Sequence, residues 1–342
     1  MRSFLALLFL ASCASSTAPM GQHARAEQAM QQLRAQGFAG SVLVACDDRV
    51  LFSGDYGLDG ARDPPSYWLA SISKQFTATA ILQLAGEGRL ALDDRLERYF
   101  PEAPAAAQSI SLRDLLLHTS GLTQTYAADG IADRAQAAHA ILSRPLASAP
   151  GAEFHYSNDN YTLLAIVVEM VSGERFEDYV RRHEFAPAGL QHAGFWPETN
   201  GDFVPPTLTT LDGPTGLANW GFRGGTGMRA SLTDLHRWAR ALDANRVLNP
   251  DGVALLYGPH RQSSNGHGVG FGWYWSDIDG ERWLWTSGSD SAGYNAILYR
   301  RAGTPLIIIA ATNAGPAESA GPGYSRLARD ALMPIFGADS CA

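Results

Sequence analysis

Lysine occurs once in this chain, at Lys74, and the other 25 of its 26 Lys and Arg residues are Arg. A guanidinium stays charged in a protein, whereas a desolvated Lys amine can give up its proton and act as a base. Three residues upstream stands Ser71, in the run Ser71-Ile72-Ser73-Lys74. Positions i and i+3 share a helix face, so this hydroxyl and this amine can meet. Together they would make a nucleophile and its base. At a helix start, unpaired N–H groups would also favour a developing oxyanion. Alone, Ser-x-x-Lys is a weak motif.

Two further groupings could join it. In Tyr156-Ser157-Asn158, which follows Pro150-Gly151, the phenol could serve as a base beside a cation. The Asn158 amide could donate to a substrate carbonyl. Read alone, the tripeptide is a helix-entry turn. Thr286-Ser287-Gly288 ends an aromatic, β-branched run, where a Gly on an edge strand lets a ligand approach the backbone. Read alone, it is a strand-end turn.

The elements that must position these groups follow from periodicity. Ser71–Leu84 has helical spacing and is closed by Gly86 and Gly88. Short helices are expected at 27–36, 161–171 and 324–336. Capping boxes are expected at Ser111-Leu-Arg-Asp114 and Ser231-Leu-Thr-Asp234. Residues 40–46 and 50–52 read as a hairpin around Asp47-Asp48-Arg49. Residues 193–226 read as loops. Runs at 270–275, 282–285, 294–299 and 306–311 read as an antiparallel meander. The alternating Gly266, Gly268, Gly270 and Gly272 suit a strand. Trp273, Trp275, Trp283 and Trp285 read as packing, with cleft lining as the alternative. Strands at both ends and helices between them predict an α/β (α+β) chain. An antiparallel sheet from residues 25–88 and 225–342 would be flanked by helices, with an all-helical domain, 89–224, inserted.

Ser-x-x-Lys, Tyr-x-Asn and (Lys/His)-(Thr/Ser)-Gly, in that order, resemble the serine β-lactamase and penicillin-binding-protein superfamily, in its class C-like branch. Trp68–Ala78, Leu115–Leu122, Pro150–Asn158 and Gly225–Leu235 resemble further stretches of that family, over about residues 27–336. The resemblance implies a β-lactamase/transpeptidase-like fold and two-step acyl transfer through a covalent ester, with no metal or cofactor. It makes Ser71 the acylated nucleophile, Lys74 its proton partner and Tyr156 the base and proton relay. Asn158 would bind the acyl amide. Thr286, Ser287, Gly288 and Ser289 would line the substrate, with the backbone N–H groups of Ser71 and Ser289 as oxyanion hole. The implied substrate is a small ester, amide or D-amino-acid peptide. One departure matters: Thr286 stands where the family has Lys or His, which puts carboxylate-bearing substrates, β-lactams included, in doubt. Arg223 and Arg229 are candidates to supply the missing cation. The competing reading is a non-hydrolytic ligand- or cell-wall-binding protein that keeps the fold.

Composition bounds the rest. With 342 residues, 46% hydrophobic and 18% charged, the chain is long enough for about two domains of ~150 residues. A net charge of −8 and no basic run exclude nucleic acid as an expected partner. Three Cys and nine scattered His give no metal-ligand spacing. His118 reads as a core histidine, and His155 as a neighbour of Tyr156 without a catalytic part. Residues 290–293, Asp-Ser-Ala-Gly, faintly match a chymotrypsin-like serine without a supporting context. Residues 1–12 read as a lipoprotein signal peptide, since the apolar core at 3–11 is too short to span a bilayer. Cys13 is the expected lipidated residue, and 13–24 a tether. This places the protein outside the cytoplasm, anchored by lipid in the outer membrane and facing the periplasm. Export would permit Cys46 and Cys341 to pair, and the sequence leaves that open.

Overall fold

Leu306–Thr312 is apolar or small at nearly every position and buried along its whole length, which requires cover on both faces of its strand. The computed structural model supplies that cover. It describes residues 20–58, 64–196, 219–263, 265–289, 293–313 and 323–342. The chain opens with α1 (Gln22–Ala35), β1 (Gly40–Cys46), β2 (Arg49–Tyr56), β3 (Ser66–Trp68) and α2 (Lys74–Gly86). A helical stretch follows: α3 (Ala105–Gln108), α4 (Leu112–Leu116), α5 (Arg134–Leu142), α6 (Asn158–Ser172), α7 (Phe176–Val180) and α8 (Ala186–Ala188). Next come β4 (Gly194–Phe195), β5 (Met228–Ser231), α9 (Leu232–Asp243) and α10 (Pro250–Tyr257). The chain closes with β6 (Arg261–Gln262), β7 (Gly268–Val269), β8 (Tyr274–Ile278), β9 (Glu281–Ser289), β10 (Asn295–Arg301), β11 (Leu306–Thr312) and α11 (Tyr324–Leu332).

Both ends of the chain build one eight-stranded antiparallel sheet, ordered β2-β1-β11-β10-β9-β8-β7-β6. A small sheet β3-β5-β4 lies apart from it. Alternation along the strands divides the core in two. Leu43, Leu284, Leu298, Ile307 and Ile309 pack toward α2 and α9. Val44, Trp283, Ile297, Ile308 and Ala310 pack with Ala26, Met30, Ala328 and Leu332 of α1 and α11. The mixed α/β architecture with a large antiparallel sheet is the one the sequence predicts. Helix α6 is buried from Asn158 to Val168 and packs on α2, which fixes the relation between Tyr156-Ser157-Asn158 and Ser71. Cys46 and Cys341 are joined by a disulfide, Cα atoms 5.4 Å apart, tying the end of β1 to the last residues.

Several local expectations change. Ser71 lies in a 3-10 turn, Ala70–Ser73, and α2 begins at Lys74. The 270–275 run is not one strand. Gly272 has φ +75°, and a Cβ there would lie 2.8 Å from the Gln75 nitrogen, so 270–273 forms a turn pressed against the start of α2. Gly266 also sits in a turn, with φ +78°, which breaks the period-two reading of these glycines. At Ser111 both arms of the capping box form. At Ser231 only the serine arm caps α9, because the Asp234 carboxylate accepts instead from the backbone N–H groups of Gln191 and His192. The last helix stops at Leu332. Within 193–226, Gly194–Phe195 pairs with β5. Trp273 and Trp283 are buried in the core, while Trp285 lines the cleft described below. The expected signal peptide, Cys13, most of the tether and the Asp290–Ala292 stretch lie outside the described residues.

Candidate active site

Ser71 sits where three elements converge: the turn before α2, the start of α6 and the end of β9. Its Oγ is 2.7 Å from the Tyr156 hydroxyl and 3.1 Å from Lys74 Nζ. Lys74 Nζ also donates to Asn158 Oδ1 at 2.5 Å and to the Gly225 carbonyl at 2.9 Å. Only 3% of Lys74 is exposed, and all three partners are neutral. Burial therefore pushes its pKa well below the ordinary lysine value. In the amine form the two N–H bonds point at the two carbonyl oxygens, which leaves the lone pair for the Ser71 hydroxyl. This geometry suits removal of the serine proton.

Tyr156 is held from two sides. Lys74 Nζ lies 4.9 Å from its ring centroid, and the His118 ring packs on it with centroids 4.4 Å apart. His118 is buried, and its Nδ1 accepts from the Ser157 N–H at 3.2 Å. Burial, followed by the charge of Lys74, lowers its pKa well below the usual histidine value. A neutral, packed ring fits the core-histidine expectation. Asn158 is set by its own backbone N–H donating to Gln124 Oε1 at 2.5 Å. With its carbonyl oxygen on Lys74, its amide nitrogen has no protein partner among the described residues and lines the cleft.

Strand β9 closes the site. Its pairing with β8 begins at Tyr274↔Trp285, so the edge from Thr286 to Ser289 is left without a β8 neighbour. A Cβ on Gly288 would lie 2.1 Å from the Leu69 carbonyl oxygen and 2.8 Å from the Ser71 nitrogen, so only glycine lets the strand come this close. Ala70, immediately before Ser71, has φ +45°, a strained conformation for a residue with a Cβ. The strain is held where β9 and the turn meet. Ser71, Lys74, Tyr156, Asn158 and residues 286–289 all line one cleft of about 1070 Å³. The structure thus brings the expected nucleophile, its proton partners and the substrate-lining residues together.

The two arginines suggested as replacement cations are not there. Arg223 Nε donates to Glu177 at 2.7 Å, with its guanidinium over Trp220. Arg229 is 1% exposed and donates to Ser66 Oγ and the His192 carbonyl. Neither lines the cleft, and each is hydrogen-bonded to buried groups away from it. Thr286 is 1% exposed and brings no charge. The sequence reading missed Gly225, whose carbonyl holds Lys74, and Gln124, which orients Asn158. Gly225 opens the Gly225–Leu235 stretch and so carried a signal; Gln124 carried none.

A family model described as Beta-lactamase matches residues 24–333. The chain belongs to the β-lactamase family. Among its relatives, the putative penicillin-binding protein PbpX of Bacillus subtilis (strain 168) is 27% identical over 258 residues, 72% of this chain and 65% of PbpX. The chain thus spans just under two thirds of that relative. Among solved structures, a penicillin-binding protein from Bacillus halodurans aligns with a TM-score of 0.76 at 23% identity, over 91% of this chain and 100% of its own. D-amino acid amidase from Ochrobactrum anthropi SV3, complexed with L-phenylalanine amide, aligns with a TM-score of 0.74 at 18% identity, over 91% and 98% of the two chains. At these identities the structural likeness shows a shared fold.

Proposed function

We propose that this protein is a serine hydrolase that cleaves an ester or amide through an acyl-enzyme on Ser71. The observation that carries the reading is the Ser71 hydroxyl held between the Tyr156 phenol and a buried Lys74 amine with neutral partners. Ser71 Oγ attacks the carbonyl carbon, and its proton passes to the Lys74–Tyr156 pair. The oxyanion is received by the backbone N–H groups of Ser71 and Ser289, beside which Gly288 makes its close approach. The carbonyl–leaving-group bond breaks as Tyr156 returns the proton to the departing oxygen or nitrogen. Water, deprotonated by the same pair, then attacks the ester, releasing the acid and restoring Ser71. Asn158 donates its amide N–H to the acyl half. Thr286 and Ser287 flank the departing half.

The cleft lies between the sheet built from 25–88 and 225–342 and the helical insert. Amides of amino acids are suitable first substrates, since a structural neighbour is named for that activity. We also propose export and lipid anchoring at Cys13, a reading supported by the Cys46–Cys341 disulfide. The experiment is a comparison of amino acid p-nitroanilides, aryl esters and benzylpenicillin with the soluble chain and Ser71→Ala. Turnover or acylation lost by about 10³-fold in Ser71→Ala supports the reading. Equal residual rates in both proteins refute it and leave the binding-protein reading.

A further inference from the structure

With Thr286 uncharged and Arg223 and Arg229 turned away, the donors for an anionic substrate group must come from elsewhere in the cleft. Among the described residues its basic side chains are Lys74, His267, Arg326 and Arg329. Lys74 is committed to Asn158, Gly225 and Ser71. Arg329 directs its guanidinium at Asp330 and at the Tyr299 hydroxyl. His267 is different, because its orientation is built by a short chain of hydrogen bonds.

Trp285 Nε1 lies 2.7 Å from Ser276 Oγ, and Ser276 Oγ lies 2.8 Å from His267 Nδ1. An indole N–H can only donate, so Ser276 Oγ accepts from Trp285. The serine oxygen has a second lone pair, so it either accepts from His267 Nδ1–H or donates to Nδ1, and both arrangements anchor the ring through Nδ1 and leave Nε2 as its other polar atom. The imidazole also meets the Trp285 ring edge-on, centroids 5.5 Å apart. Nε2 has no protein partner among the described residues. His267, Ser276 and Trp285 all line the cleft that holds Ser71. The result is an imidazole anchored in that cleft, whose Nε2 donates to an anion in the Nε2–H tautomer or as the imidazolium.

Its position relative to Ser71 follows from the strand register. Thr286 and Gly288 alternate with Trp285, Ser287 and Ser289, and Gly288 is the residue that meets Ser71. Trp285 pairs with Tyr274 and Tyr299, and the three rings stack with centroids 4.9 and 5.6 Å apart. They form a wall on the face of β9 opposite Ser71, bordered by Arg326 and Arg329. On the acyl-enzyme reading, a substrate whose acyl amide lies on Asn158 would cross the open edge of β9 and present its departing half to this wall.

We infer that His267, oriented by Ser276 and Trp285, is the specificity-determining residue that reads a carboxylate on the departing half of the substrate. This rests on the acyl-enzyme reading above. Arg326 and Arg329 border the wall, Arg329 paired with Asp330, and Asp277 lines the same cleft, so His267 is the donor that its own hydrogen-bond chain leaves available there. The chain thus places its anion-reading group on the hairpin beside β9, where the family carries a cation on β9 itself.

The test uses two aryl esters with one acyl group, phenylacetylglycyl, and two leaving groups, 3-hydroxybenzoate and 3-hydroxybenzamide. The readout is the ratio of kcat/KM for the acid over the amide. A fluorophosphonate labelling rate reports the nucleophile separately. The wild-type ratio is expected to exceed about tenfold, as for a hydrogen bond to a charged group. His267→Ala should bring the ratio near one with the labelling rate unchanged. His267→Gln, which keeps an N–H donor, should restore part of it, and Ser276→Ala should lower it. A wild-type ratio near one overturns the proposal. So does an unchanged ratio in His267→Ala, or hydrolysis of neither ester by a chain that still labels. Failure to label at all instead defeats the acyl-enzyme reading beneath it.

Discussion

Replacing Lys74 by methionine separates the chemistry of the buried amine from its cost to the fold. Lys74 is buried, with three neutral partners and no counter-charge, and its pKa is driven well below 10.5 by desolvation. The folded state therefore binds fewer protons here than the unfolded state between the lowered pKa and the ordinary lysine value. Stability then rises with pH across that window, by about 1.4 kcal/mol per pH unit for one proton. The penalty is full below the folded pKa and vanishes near the unfolded value of about 10.4. Lys74→Met has no such slope. The comparison is made by urea melts of both proteins between pH 8 and 9.5, above the titration of the unfolded histidines, which both proteins share. Wild type should gain on the variant as pH rises, with the slope approaching about 1.4 kcal/mol per unit. Acylation of the variant should fall by about 10²–10⁴-fold, the range for loss of a positioned base. A stability difference flat over this range would show that Lys74 titrates as an ordinary lysine and would refute the argument.

Other consequences are as direct. Glu184 is fully buried with neither oxygen hydrogen-bonded among the described residues, and burial raises its pKa well above 4.5, so its folded form holds a proton that the unfolded form releases. Stability from this group is present below about pH 4.3 and is lost as pH rises toward the folded pKa, so Glu184→Gln should stabilise increasingly from pH 4 to 8 in denaturant melts. Opening the Cys46–Cys341 bond, which closes a separation of 295 residues, should cost about 2–4 kcal/mol in Cys46→Ala/Cys341→Ala, read as a lower urea midpoint. Gly288→Ala places a Cβ 2.1 Å from the Leu69 carbonyl oxygen, so β9 or the Ser71 turn must shift. A displacement of about 1 Å predicts a loss near 10²-fold in kcat/KM, and unchanged kinetics would show the approach to be unimportant.

What could be read from the sequence was local or compositional. Helical spacing suffices to bring Lys74 to Ser71, and both arms of the Ser111 cap are visible as residue types. The unbroken apolar run at 306–311 demands a strand covered on both faces. What escaped depends on distant partners. The 270–273 turn bends because Gly272 must meet the start of α2, which no period-two pattern records. Asp234 looks like a capping-box partner but is taken by Gln191 and His192, remote in sequence. Arg223 and Arg229 carry charge in the sequence, and only the fold shows that Glu177, Ser66 and the His192 carbonyl claim them. The disulfide likewise needed a Cα separation that spacing cannot supply.

The most direct measurement is intact mass of residues 24–342 after exposure to a fluorophosphonate, followed by peptide mapping of the adduct, with Ser71→Ala alongside. The account predicts one adduct per chain, located on the peptide containing Ser71 and absent from the variant. Folded wild-type protein that remains unmodified, or an adduct that persists in Ser71→Ala, would contradict it.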